Sequence, residues 1–378
     1  MKLLITGDFF VSEHFKNQSL IDDSIKKLFS SADFRIANLE APLTANEPKH
    51  RIVKTGPYLR SSGDATLPFL KQLEIDAVTL ANNHIMDYGL KGLNDTFNIL
   101  KNNRIKYVGA GLNLREATKE LCLVKNGIKI ALINFAENEW ASAADGKSGA
   151  NPMDIIDNVT HIRQAKVKND LVIVIIHGGH EFYHFPSPRM VKQYRFFAEN
   201  GADAVIGHHT HCLGGYEVHK EVPIFYGLGN FLFTRPNKNL AWYQGLTIQL
   251  QIKKEKITGW EAIPVKQDPK TFHLSLPLKK EKDAILNQIQ KINQTISDPK
   301  ELNNKFRELS NLKQNYYIEP LSIVSAIPIK DTRKFLLRKG FGPTFTRKQQ
   351  VAAMLHFIRC ESHRDLLHEA LKKFIRKF

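Results

Sequence analysis

The sequence predicts an α/β fold built on a mainly parallel sheet, and three observations carry that expectation. Short apolar runs alternate with longer segments of helical spacing over residues 1–235, the rhythm of repeated βαβ units. The run from Leu171 to Ile176 is continuously apolar and mostly β-branched, as a strand buried on both faces requires. Most of the predicted strands in the first 211 residues end in Asp, Glu, Asn or His, several beside a glycine. Open α/β sheets build their sites at such carboxyl ends.

The elements follow in order. Leu3 to Thr6 reads as the first strand. Leu20, Ile21, Ile25, Leu28 and Phe29 have helical spacing across Ser19 to Ser31. Phe34 to Asn38 is a strand, Asp64 to Leu73 a helix, Ala77 to Leu80 a strand, Leu90 to Asn102 a helix and Lys106 to Val108 a strand. Asn126-Gly127 lies between Leu121–Val124 and Lys129–Phe135, which is a type I′ hairpin signal. Gln193 to Asn200 is a helix stopped by Gly201, and Asp203 to Ile206 the next strand. Tyr216–Val218 and Pro223–Tyr226 form a second hairpin, and strands within 245–265 close the sheet.

Composition shifts near residue 268, predicting an α/β domain over 1–268 and a mainly helical extension over 269–378. Ile285, Ile289, Ile292 and Ile296 repeat at helical spacing in that extension. A second amphipathic pattern runs through 347–378, with Leu366, Leu367, Ala370, Leu371, Phe374 and Ile375 on one face. Of the formal net charge of +16, residues 271–378 hold 21 Lys and Arg against 10 Asp and Glu, a net of +11. A basic excess of this kind suits a solvated helical surface, or peripheral contact with anionic membrane headgroups. Nucleic acid is the weaker expectation, because aromatic residues do not interleave with the basic ones as base stacking demands. Three scattered cysteines, a short apolar run at the start and no 18-residue apolar stretch lead to the expectation of a cytoplasmic protein.

The strand ends carry the chemistry. They read Gly7-Asp8, Asn38-Leu39-Glu40, Asn82-Asn83-His84 with Asp87 behind, His177-Gly178-Gly179-His180-Glu181, and Gly207-His208-His209-Thr210-His211. Six of the fifteen histidines fall between His177 and His211. Imidazole, carboxylate and amide oxygen together are a ligand set for one or two divalent transition metals, Mn, Fe or Zn. Satisfied core histidines or a pH-sensing cluster are the alternative readings of the same residues.

These residues support a resemblance. "GD" at 7–8, "NLEAPLT" at 38–44, "LANNHIMDYG" at 80–89, "IIHGGHEF" at 175–182, "IGHHTH" at 206–211 and "PIFYGLGNFLF" at 223–233 resemble, in order, the CapA family of bacterial capsule and poly-γ-glutamate synthesis proteins. That family is similar to the calcineurin-like metallophosphoesterases. The resemblance implies a layered α/β sandwich with a helical C-terminal extension. It implies Asp8 on a first metal, Glu40 in the bridging position, Asn83 and His177 on a second metal, and one each from His209 and His211. His84 would contact the substrate or protonate a leaving group, oriented by Asp87. His180, Glu181, Arg60 and Asn230 are expected near the substrate, and His208, beside two ligands, is expected to point elsewhere. The phosphoesterase pattern at strand one is Asp-x-His, whereas this chain has Asp8-Phe9-Phe10, and its bridging residue is Glu rather than Asp. The implied function is metal-dependent hydrolysis of an anionic substrate in capsule or exopolymer synthesis. The rival is a non-catalytic component of that machinery, working beside other capsule-synthesis proteins.

Overall fold

The computed structural model describes residues 1–45, 47–54, 56–318 and 329–340, with isolated positions beyond 350. In chain order the N-terminal part runs β1 (Lys2–Phe10), α1 (Asp23–Ser30), β2 (Phe34–Leu39), α2 (Gly63–Gln72), β3 (Ala77–Thr79), α3 (Gly89–Asn102) and β4 (Lys106–Val108). Then come β5 (Ala110–Gly111), α4 (Leu114–Ala117), β6 (Leu121–Lys125), β7 (Ile128–Ala136), β8 (Gly149–Ala150), α5 (Ile155–Lys168), β9 (Leu171–His177), α6 (Pro188–Glu199) and β10 (Ala204–His208). The remainder is β11 (Tyr216–His219), β12 (Val222–Phe225), β13 (Asn230–Phe233), β14 (Gln244–Lys253), β15 (Lys256–Gln267), β16 (Leu274–Ser275), α7 (Lys279–Ser297), α8 (Pro299–Ile318) and α9 (Lys330–Arg338).

Two large sheets result. One has the order β16-β15-β14-β1-β2-β3-β4, with β13 also paired to β1; the other has the order β11-β12-β10-β9-β7-β6. Period-two alternation stacks them face to face. Leu3 and Ile5 of β1 and Ile248 and Leu250 of β14 share a core with Ile130 and Leu132 of β7 and Ile173 and Ile175 of β9. The intervening residues turn outward, where helices cover them. Leu4 packs with Ile25 of α1, Phe69 of α2 and Leu93 of α3. Val172, Val174 and Ile176 pack with Ile162 of α5 and Phe197 of α6. The architecture is therefore four-layered, helix–sheet–sheet–helix, an α/β sandwich.

Several elements have local causes in the sequence. Asn126 and Gly127 both take positive φ, 52° and 79°, as a type I′ turn demands. The α6 helix begins five residues before the expected start, because Pro188 sits at its first turn and the Ser187 side chain accepts from the Met190 N–H. The α5 helix was not expected at all. Its signals are the Asp154 cap and the buried spacing of Val159, Ile162 and Ala165. The short β13 is also additional; it runs parallel to β1 with Asp8 opposite Asn230.

The chain divides into two compact units, 1–303 and 304–378. The first unit thus takes in residues 269–303, which composition alone had placed in the extension. Ile285 and Ile289 of α7 bury in the inter-sheet core, and Ile292 and Ile296 bury with the second sheet's helices. Much of the 347–378 pattern, including Leu366, Ala370, Phe374 and Ile375, lies outside the described residues.

The end of β1 depends on close backbone approach. Asp8 N donates to the Gly229 carbonyl at 3.0 Å, and a Cβ on Gly7 would lie 2.0 Å from that same oxygen. Pairing with β2 and β13 is irregular on either side of Asp8, the kind of local break that re-aims a side chain. Gly7→Ala should therefore cost about 1–3 kcal/mol in denaturant unfolding, more than an alanine at the exposed Gly127 turn neighbour Lys125.

Candidate metal centre

The parallel strands β1, β2, β3, β9 and β10 all end at one place. Asp8 lies near the end of β1 and Glu40 directly after β2. Asn83 and His84 follow β3, His177 ends β9, and His209 and His211 follow β10. Both histidines of the last segment have positive φ, 89° and 51°. Such conformations are strained for residues with a Cβ and persist where surrounding structure enforces them. Between them Thr210 bonds the Cys212 carbonyl at 3.0 Å.

Two groups of ligand-type atoms result, Asp8–Glu40–His211 and Glu40–His177–His209. Glu40 belongs to both. Its carboxylate is fully buried, and neither oxygen takes part in a hydrogen bond. His211 Nε2 lies 3.4 Å and His177 Nε2 3.7 Å from Oε1. Asn83 joins the second group, its Oδ1 3.1 Å from His177 Nε2. His209 Nδ1 is 3.0 Å from the same nitrogen. A buried carboxylate without hydrogen bonds is expensive in a protein interior. Divalent cations fit this donor set, and the orphaned Glu40 oxygens are where a shared ligand would be needed.

A second ring of groups fixes these side chains. Asn38 Nδ2 donates to Asp8 Oδ1 at 2.7 Å and lies 3.2 Å from His177 Nδ1. Its own Oδ1 accepts from Thr79 Oγ1 at 3.1 Å. Asn230 Oδ1 is 2.9 Å from His211 Nδ1, and its Nδ2 donates to the Trp242 carbonyl at 2.9 Å. His208 reaches the Thr6 carbonyl at 2.9 Å rather than the ligand groups, the divergence that adjacency implies.

Electrostatics follow from burial and charge. Burial opposes ionisation of Asp8, but the His211 hydrogen bond and the surrounding imidazoles hold its carboxyl well below the usual range. Burial pushes the Glu40 carboxyl up to about 8, with Asp8 adding repulsion and His211 opposing. Burial depresses His177, which stays neutral and fit to ligate. For His211, burial is outweighed by Glu40 and Asp8, which hold its proton on well above the ordinary imidazole range.

Beside the ligand groups, His84 Nδ1 donates to Asp87 Oδ2 at 2.7 Å. Asp87 is fully buried, and Leu59 N donates to the same oxygen at 2.7 Å. Lys54 forms an ion pair with Asp87 Oδ1 and comes within 3.3 Å of His84 Nδ1. Sequence reading missed Lys54 because its loop has no periodicity and the lysine is remote in sequence from the motif it meets. It also missed Asn38, read only as a strand end, and Glu139, whose Oε1 lies 3.8 Å from His209 Nε2.

The expected substrate contacts are placed differently. Arg60 Nη1 donates to Glu13 at 3.1 Å and to the Thr44 carbonyl at 3.2 Å. Asn230 is buried and turned to His211 and the Trp242 carbonyl, so it orients a ligand-type histidine instead of facing solvent. His180 is half-buried and Glu181 exposed, and neither falls in the two ligand-type groups. Phe10, at the position of the missing motif histidine, packs in an aromatic cluster with Phe233 and Trp242.

Four layers with acidic and imidazole side chains gathered at the strand ends define an α/β sandwich with a candidate metal centre. The chain belongs to the family described as Bacterial capsule synthesis protein PGA_cap, whose model matches residues 2–235. It is 29% identical over 245 residues to the capsule biosynthesis protein CapA of Bacillus anthracis, covering 62% of this chain and 60% of that one. It is 29% identical over 276 residues to the PGA biosynthesis protein CapA of Bacillus subtilis, covering 71% and 70%. Among solved structures, a novel phosphatase from Mycoplasma pneumoniae aligns at 15% identity and a TM-score of 0.45, over 72% of this chain and 95% of that one.

Metal uptake should release protons. A carboxyl whose pKa is raised keeps its proton up to about pH 8, and ligation requires it to leave, as it does for His211. Manganese or zinc affinity should therefore fall as pH is lowered below about 8. Calorimetric titrations at pH 7 in buffers of different ionisation enthalpy should show net release of at least about one proton per bound ion. His209→Ala and His211→Ala should each lower the metal content of purified protein strongly.

Proposed function

We propose that this chain is a metal-dependent hydrolase of phosphoesterase type, acting on an anionic substrate in capsule or exopolymer synthesis. The observation that carries the reading is Glu40, a fully buried carboxylate without hydrogen bonds that belongs to both ligand-type groups. Asp8, Glu40 and His211 would hold one ion, and Glu40, Asn83, His177 and His209 the other. The chemistry a divalent ion held by these residues would supply is acidification of a water and neutralisation of charge on a phosphoryl oxygen. His84 Nδ1–H hydrogen-bonds to Asp87, which leaves Nε2 to face the substrate; the ring protonates a leaving group only from its imidazolium form, with both nitrogens protonated. Asp87 fixes the ring in that orientation, and Asn38 and Asn230 hold the ligands in register.

The family and the curated relatives support a role in polymer synthesis beside other synthesis proteins. The alignment spans about 60% of the Bacillus anthracis relative's length. A second reading, a non-catalytic assembly component, is favoured by one observation: Phe10 gives an apolar ring to the position where the phosphoesterase pattern has a ligand. That substitution predicts that the Asp8–Glu40–His211 group binds metal more weakly than its neighbour.

Among the described residues, no helix is long and apolar enough to cross a membrane. We assign peripheral contact with anionic surfaces, where it occurs, to the basic residues of 269–378.

The test is metal analysis beside turnover of a panel of phosphomonoesters and diesters by manganese-, iron- and zinc-loaded protein. His84→Ala should lose about 10²–10⁴-fold in turnover while keeping its metal. Metal-loaded protein that hydrolyses none of the panel would shift the reading to the assembly component.

A further inference from the structure

A lysine side chain that is 3% exposed is rare, because burying an ammonium costs several kcal/mol unless it is paired. Lys54 is paired with Asp87, whose carboxylate is 0% exposed. Stability alone does not call for this arrangement, since apolar residues of similar volume often serve as well as a buried ion pair.

The geometry around Asp87 suggests what the pair does. Oδ1 accepts from Lys54, and Oδ2 accepts from both Leu59 N and His84 Nδ1. The Asp87 backbone carbonyl also accepts from Ile52 N at 3.3 Å. Tyr58 closes the loop on itself, its hydroxyl donating to the Ile52 carbonyl at 2.7 Å, with Lys54 Nζ 5.4 Å from its ring centre. One carboxylate therefore joins the loop around Lys54 to the imidazole beside Asn83. With donors on both oxygens, the carboxylate cannot turn about its terminal bond without losing a hydrogen bond. Without Lys54, Oδ1 is free, and the acceptor that fixes His84 is held from one side only.

We propose that Lys54 is a positioning residue that locks the Asp87 carboxylate and, through it, the His84 ring, making the loop around it part of the reaction site. Its kinetic consequence rests on the hydrolytic reading of the centre. A ring displaced by about 1 Å costs on the order of 10²-fold in rate, so the effect belongs in kcat rather than in metal binding.

The experiment uses the full chain loaded with manganese. Lys54→Met should lower kcat on a phosphoester by about 10–100-fold, with KM and metal content unchanged, and Lys54→Arg should recover part of the loss. In an Asp87→Asn background, Lys54→Met should add little, because the lysine acts through that carboxylate. A reading independent of turnover is the low-field proton of His84 Nδ1 in protein loaded with diamagnetic zinc instead of manganese, identified by its absence from His84→Ala. It should be sharp in the wild type and lost in Lys54→Met. If Lys54→Met does not fold, Lys54→Ala, which also lacks a donor, takes its place. Wild-type kcat and an unchanged low-field proton in folded Lys54→Met or Lys54→Ala would overturn the proposal, as would full additivity with Asp87→Asn. If the wild type turns over no phosphoester, the hydrolytic reading falls, and the low-field proton alone decides the role of Lys54.

Discussion

The arrangement depends on one costly feature, a carboxylate buried without hydrogen bonds where the strand ends of two stacked sheets meet. Glu40 cannot be accommodated there by packing alone. Removing it from water penalises its charge, and Asp8 nearby adds repulsion. The surrounding chain answers by bringing imidazoles from the other sheet against it. His177 and His211 belong to segments on β9 and β10, while Asp8 and Glu40 belong to β1 and β2. The apolar inter-sheet core is thus what holds opposite charges together, and the centre exists only when both sheets are stacked.

That dependence explains why backbone detail is concentrated at the strand ends. Gly7 lets β1 pass within contact of the Gly229 carbonyl. The pairing of β1 shifts at Asp8, and both histidines of the last motif take left-handed conformations. Each departs from regular geometry, and each lies within a few residues of a ligand-type side chain. Strain of this kind is tolerated where the surrounding packing enforces it. The buried strands Leu171–His177 and Ala204–His208, with helices on one face and a sheet on the other, supply that rigidity.

Much of this was legible in the sequence, for identifiable reasons. The fold showed because period-two and helical spacings are local, and because an uninterrupted run such as Leu171–Ile176 has few alternatives. The ligand-type residues showed because each lies at or within a few residues of a strand's end, so a one-dimensional pattern maps onto the end of a sheet. What did not show depends on contacts between distant segments. Arg60 looked available for an anion, and its Nη1 is shared between Glu13 and the Thr44 carbonyl. Asn230 looked like a turn residue near substrate, and its Oδ1 lies 2.9 Å from His211 Nδ1. Composition placed the domain boundary at 268, yet the four isoleucines of α7 complete the cores of the first unit. A polar, Lys- and Gln-rich surface conceals such a helix from compositional reasoning, although its apolar stripe was readable.

Lys54 shows where the limit lies. Nothing in "HRIVKTGPYL" distinguishes a buried lysine from an exposed one. Its meaning comes from Asp87, which lies in a separate motif and needs a counter-charge once buried. Asp87 could be anticipated as the partner of His84, because a histidine followed three residues later by an aspartate can form a local hydrogen bond. The missing question was what balances Asp87 in turn. A buried acid beside a neutral imidazole leaves one negative charge to be met, and only a cation from elsewhere in the chain can meet it. Following charge outward from each buried carboxylate, until every one has a partner or a reason to lack one, leads to Lys54 in one case and to the proposed metal at Glu40 in the other.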